Sequence, residues 1–149
     1  AGGRAADALV AADRALAIHR RVDQTSSGPS AWLRAEALLA CGDAAAALAA
    51  SDEAIALCGR SLRGNYEILA WGVRARALLA VGGATDTEAA LQALDTAGQL
   101  IQRTGTTLLV PALARWRAAL CEAQGDVVQR QHWLEAAARG DAQVGRQTA

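Results

Sequence analysis

Three stretches decide the fold: Arg34-Ala-Glu-Ala-Leu-Leu-Ala-Cys-Gly-Asp43, Arg74-Ala-Arg-Ala-Leu-Leu-Ala-Val-Gly-Gly83 and Arg117-Ala-Ala-Leu-Cys-Glu-Ala-Gln-Gly-Asp126. They align without gaps, 40 and 43 residues apart, and each runs from Arg-Ala to a Gly in ninth place. A second set is interleaved with them. Ala8-Leu-Val-Ala-Ala-Asp-Arg-Ala-Leu-Ala-Ile18, Ala47-Leu-Ala-Ala-Ser-Asp-Glu-Ala-Ile-Ala-Leu57 and Ala90-Leu-Gln-Ala-Leu-Asp-Thr-Ala-Gly-Gln-Leu100 start 39 and 43 residues apart. Each carries Asp in sixth place (Asp13, Asp52, Asp95) and Ala in eighth (Ala15, Ala54, Ala97). Two patterns sharing one period near 40 describe a two-helix unit repeated along the chain. The Arg-Ala segment lies in the first helix of each unit and the Ala-Leu segment in the second.

Working outward from these segments gives seven helices. Ala5, Leu9, Ala12 and Leu16 fall at three- and four-residue steps, so residues 4–22 form an amphipathic helix. Thr25, Ser26, Ser27, Gly28 and Pro29 favour non-helical backbone and predict a turn over 24–30. A helix over 31–41 stops at Gly42, and Asp43 caps the next, over 44–58. A loop over 59–64 leads to a helix over 65–81, closed by Gly82-Gly83. Asp86 or Thr87 is the expected cap of 88–103, which ends at Gly105. Thr106 or Thr107 is expected to open a helix over 107–124, with Pro111 near its first turn or at its start. Asp126 caps the last helix, 126–139, and the polar residues 140–149 read as a frayed tail. The fold class is all-α, an alpha-alpha superhelix of antiparallel helix pairs occupying 1–139 as a single array.

Composition agrees with this. Alanine makes up about a quarter of the 149 residues. The 15 basic residues, all arginine, balance 15 acidic ones. Zero net charge argues against a protein devoted to nucleic acid or an anionic membrane. No apolar run approaches the roughly 20 residues that span a bilayer. Three widely spaced cysteines, Cys41, Cys58 and Cys121, make no disulfide framework and no zinc-ligand spacing. They read as reduced thiols acting as small hydrophobes, the usage of a cytoplasmic protein.

Gly42-Asp43 followed by Ala47-Leu48, with Ala54 seven residues on, resembles the tetratricopeptide (TPR) repeat. In that pattern the small residue of the first helix falls on Ala35, Ala75 and Ala118. The small residues of the second helix fall on Ala47 and Ala54, Ala90 and Ala97, and Ala8 and Ala15. Small side chains there let antiparallel helices approach closely. The chain departs from the pattern in its longer period. Its early aromatic stands at Trp71 but gives way to Ala31 and Ala114. Arg34, Arg74 and Arg117 stand in place of a leucine, the closing proline is absent, and Arg130 replaces a column alanine in the last unit. The alanine- and arginine-rich style is similar to TPR-like arrays of large bacterial signalling ATPases, LuxR-type activators and adenylyl-cyclase-like multidomain proteins.

The register makes the N-terminal helix a second helix without its first, as in a segment of a longer array begun partway through a repeat. Leu9 and Leu16 are then expected to face solvent or a neighbouring molecule.

No catalytic constellation is present. The Gly-Gly pairs lack the Lys-Ser/Thr of a phosphate loop, and no Gly-x-Ser-x-Gly or His-Glu-x-x-His occurs. The chain therefore reads as a non-enzyme without cofactor or metal. A lone His19 is expected at the surface, and His132-Trp133 as surface beside core. The arginine column Arg34, Arg74, Arg117 and the acidic column Asp52, Asp95, Glu135 admit two readings: bridges within or between units, or a ladder for an acidic partner. The TPR resemblance places the partner-binding groove on first-helix positions Trp32, Glu36, Arg76, Leu79, Arg115 and Glu122. That implies a protein–protein interaction scaffold within a signalling or transcription regulator. Its partners would be a protein or peptide, or neighbouring domains of the same chain, with self-association through exposed repeat ends as a further route. The alternative is a sensory domain for a small effector, which calls for an enclosed pocket with convergent polar groups.

Overall fold

The computed structural model describes residues 2–22, 27–59 and 64–147. Among them are seven α-helices and no strand: α1 Gly2–Val22, α2 Ser27–Ala40, α3 Ala44–Cys58, α4 Gly64–Val81, α5 Ala84–Thr104, α6 Val110–Ala123 and α7 Val127–Gln147. A 3₁₀ turn, Thr107–Leu109, precedes α6. Among the described residues no helix is long and apolar enough to cross a membrane.

The glycine stops work as read. Gly42, Gly82, Gly105 and Gly125 all have φ between 69° and 86°, a left-handed conformation that other residues adopt at a cost. Asp43 accepts from the Ala46 N–H at 3.0 Å, and Asp126 accepts from the Gln129 N–H at 2.9 Å.

Four boundaries differ from the sequence reading. Residues 24–26 of the expected turn lie outside the described residues, but Ser27–Ser30 are already helical. Pro29 sits in the first turn, where its missing N–H costs nothing. α5 starts at Ala84, because Gly83 adopts φ 150°, ψ 157° and serves as the N-cap. Asp86 and Thr87 are therefore inside the first turn, and Thr87 Oγ1 donates to the Gly83 carbonyl at 2.9 Å. Thr106 does not cap α6 with its side chain; its hydroxyl is shared with Thr104 at 2.7 Å. The expected tail continues α7 to Gln147. Tertiary contacts hold it: Asp141 accepts from Arg115 at 2.6 Å, and Gly140 lies so close to the Pro111 ring that a side chain there would collide with it.

Successive helices pack in sequence order, α1 on α2, α2 on α3, and on to α6 on α7. First helices also touch one another, α2 with α4 and α4 with α6, whereas second helices make no comparable contact. The closely spaced row lies on the inside of a curved stack, so the helix pairs wind as a superhelix with first helices lining the inner face.

The alanine columns explain the spacing. Ala35, Ala75 and Ala118 are buried on the first helices; Ala47, Ala54, Ala90 and Ala97 are fully buried on the second. Without side chains beyond Cβ at these positions, paired helices can approach closely, since the side chains at the contact set the separation. Larger residues fill the space between units. Ile68, Leu94, Leu100, Trp116 and Leu120 form the largest cluster, between α4, α5 and α6. Ala35, Leu38, Ala47, Ala50, Val73 and Ala77 form a second, between α2, α3 and α4. Leu16, expected to face solvent or a neighbouring molecule, is buried with Ala31, Ala54 and Ala70, and Leu9 is half-buried against the second cluster. A second helix packs on two first helices, and these leucines point to the one that follows. The large apolar residues that α1 leaves exposed are Val10, Ile18 and Val22.

Candidate functional site

The two charge columns meet rung by rung. Arg34 pairs with Asp13 at 2.7 Å, Arg74 with Asp52 at 3.2 Å and Arg117 with Asp95 at 2.9 Å. Each arginine thus reaches back from a first helix to the second helix of the preceding unit. Exposed pairs of this kind contribute about 0–1 kcal/mol each. Their larger role is coverage, since the arginine stems lie over the seam between units. Arg117 also stacks on the half-buried Trp133 ring, 5.0 Å from its centroid. Glu135, last in the acidic column, meets no first helix; its partners lie in its own helix, Gln131 donating at 3.0 Å and Arg139 standing at 3.9 Å. The rungs are bridges between units.

The structure divides the six groove residues. Trp32, Glu36 and Arg76 come together at the seam between α2 and α4. Glu36 accepts from Arg76 across the two helices. Arg76 Nε also reaches the Gly72 carbonyl at 3.4 Å. The half-buried Trp32 ring stands 5.6 Å from the Tyr66 ring of α4, tilted by 53°, a favoured geometry for aromatic pairs. Leu79 is half-buried against the large core cluster. Arg115 and Glu122 turn instead to α7, Arg115 onto Asp141 at 2.6 Å and Glu122 onto Arg130 at 3.4 Å. Their side chains tie α6 to α7 because no further first helix follows α6 among the described residues.

Tyr66 was not foreseen. It is the only tyrosine in the chain, but it lies ahead of the repeated segment, so alignment of that segment gives it no partner.

Trp71 occupies a position held by the buried Ala31 and Ala114 in the other units. It therefore fills the space between α4 and α5 and leaves shallow clefts on both sides. The larger, about 280 Å³, is lined by Glu67, Trp71, Thr96, Gln99, Leu100 and Arg103. A third cleft, about 200 Å³, lies between Pro111 on α6 and Val144 on α7. Both volumes fall below the 300–1,000 Å³ typical of small-molecule sites.

The histidines and cysteines have structural surroundings. His19 is half-buried, correcting the expectation of a surface residue, and its Nδ1 shares a hydrogen bond with the buried Ser30 hydroxyl at 2.8 Å. His132 is exposed, edge-on to Trp133. Cys41 is exposed, and Cys58 and Cys121 are buried. Burial, reinforced by Glu67, pushes the Cys58 thiol up to about 11, so it stays protonated at neutral pH. Burial likewise raises Cys121, with Asp126 adding to the effect. Among the described residues no three His, Cys, Asp or Glu side chains are grouped to hold a metal ion.

Comparison with family models, curated proteins and solved structures gave no match to this chain.

Proposed function

We propose that the chain is a non-catalytic, TPR-like protein–protein interaction scaffold that takes a peptide or helix on the inner face of the stack. The observation that carries this reading is the α2–α4 seam. There the Trp32–Tyr66 aromatic pair lies on the same inter-helix contact as the Glu36–Arg76 ion pair. Aromatic and arginine side chains dominate binding energy in protein interfaces. Glu36 and Arg76 are each about one-third exposed, so both remain reachable from solvent. The narrower setting in a bacterial signalling or transcription regulator rests on the alanine- and arginine-rich style of the repeat, and a cytoplasmic location on the three widely spaced cysteines.

The test is selection of binding peptides from a displayed library, followed by mapping with NMR chemical shifts. Binders should perturb α2 and α4 and lose about tenfold or more in affinity to Tyr66→Ala and Arg76→Glu. Binders that perturb α3 and α5 instead, or are indifferent to both substitutions, contradict the reading.

A further inference from the structure

Trp71 breaks the column in which it stands. Its equivalents, Ala31 and Ala114, are small and covered, at 1% and 4% exposure, whereas Trp71 is only half-buried. On α4, Glu67, Trp71 and Arg74 follow one another at steps of four and three, on the face away from the seam residue Arg76. On α5, Gln92, Thr96, Gln99 and Arg103 follow at steps of four, three and four, again on one face. These two rows wall the cleft of about 280 Å³ and its neighbour of about 230 Å³, and the two clefts share Trp71 and Thr96. They are successive parts of one groove, crossed by the indole, on the outer side of the stack.

The walls carry polar groups that the fold leaves unmatched. Glu67 on α4 and Arg103 on α5 both line the larger cleft, and neither forms an ion pair among the described residues. Trp71 Nε1 and Arg74 Nη1 are buried without an acceptor, and both residues line the smaller cleft. Buried donors are normally satisfied, because an unmet one keeps its full desolvation cost. Gln92 and Gln99 add side-chain amides, each able to donate and accept.

We infer that this outer groove takes an extended peptide segment with an acidic and a basic residue in succession. Each cleft alone is smaller than a small-molecule site, but in line they suit a linear occupant. Gln92 to Arg103 covers about 16 Å of helix, the length of about five residues of extended chain. Consecutive side chains of an extended chain point to opposite sides. An acid therefore meets Arg103 on α5 while the base beside it meets Glu67 on α4. The backbone crosses the Trp71 ring, and its carbonyls supply the acceptors that Trp71 and Arg74 lack. The groove shares no residue with the α2–α4 seam, so the failure of either reading leaves the other standing.

The test starts from the double variant Tyr66→Ala/Arg76→Glu, in which the seam is disabled, and selects short peptides on it from a displayed library. Selected peptides should carry an adjacent acid–base pair. Labelled with a fluorophore and followed by anisotropy, they should lose about tenfold or more in affinity when Trp71→Ala or Arg103→Glu is added. Replacing the acidic residue of the peptide with lysine should restore binding to Arg103→Glu and abolish it where Arg103 is kept. Alanine already stands at the Trp71 position in two other units, and Arg103 is exposed, so the variants keep the fold, which melting followed by circular dichroism checks. Recovery of no peptide, or binding indifferent to both substitutions, overturns the proposal. So does a concentration-dependent dimer in light scattering that Trp71→Ala abolishes, which would make a second copy the occupant.

Discussion

Replacing Trp116 with Ala is expected to destabilise the chain by about 3–5 kcal/mol, the usual loss for a buried tryptophan. Trp116 is 9% exposed and reaches from α6 into the large cluster with Ile68, Leu94 and Leu120. Its six-membered ring lies directly on Gly72 of α4, where an added Cβ would collide with three ring atoms. That contact reverses an ordinary rule. Gly→Ala inside a helix normally gains about 1 kcal/mol from propensity. Here Gly72→Ala should instead cost about 1–3 kcal/mol, because the indole must leave its place in a packed core. In the Trp116→Ala background the obstacle is gone, and Gly72→Ala should become stabilising. Urea unfolding of the four proteins of this cycle reads the sign change directly. Equal effects of Gly72→Ala in both backgrounds would show that the indole does not lie on α4.

The second large effect falls on Leu94. It is fully buried in the same cluster, and Leu94→Ala should cost about 2–5 kcal/mol. Its equivalent one repeat later is Leu134, 36% exposed because no first helix follows α7 among the described residues. Leu134→Ala should cost less than about 1 kcal/mol, as surface substitutions do. The same leucine at the same repeat position thus has two expected values, set by whether the next helix is present. Matched losses at the two sites would mean that α7 is covered as α5 is.

The repeat itself was legible because its determinants are local or periodic. The glycine stops depend on backbone conformation at single residues. The alanine columns depend on contacts recurring every 40 residues or so, and the arginine–acid rungs appear as two columns in register. Contacts that break the period were not legible. Nothing in the alignment says that Trp116 lies on Gly72, because the equivalent position is Leu33 in one unit and Val73 in another. The helical course of α7 beyond Arg139 depends on Arg115 and Pro111, about 30 residues away in sequence, so the local polarity of that segment misled. The groove residues suffered in the same way. Their columns were transferred on the assumption of three like units, but in the last unit the neighbouring first helix is replaced by contacts with α7. Arg115 and Glu122 are drawn to that helix, while Trp32, Glu36 and Arg76 keep the seam.

One two-helix unit repeats along this chain, and the burial of each column depends on its place in the stack. The most direct measurement is the stability of three single variants, Ala8→Leu, Ala47→Leu and Ala90→Leu, by urea unfolding. Ala47 and Ala90 lie at 0% exposure under a first helix, so leucine there should cost about 1–3 kcal/mol. Ala8, in the same column but exposed, should change stability by less than about 0.5 kcal/mol. Equal losses at all three positions, or no loss at Ala47 and Ala90, would contradict the repeat.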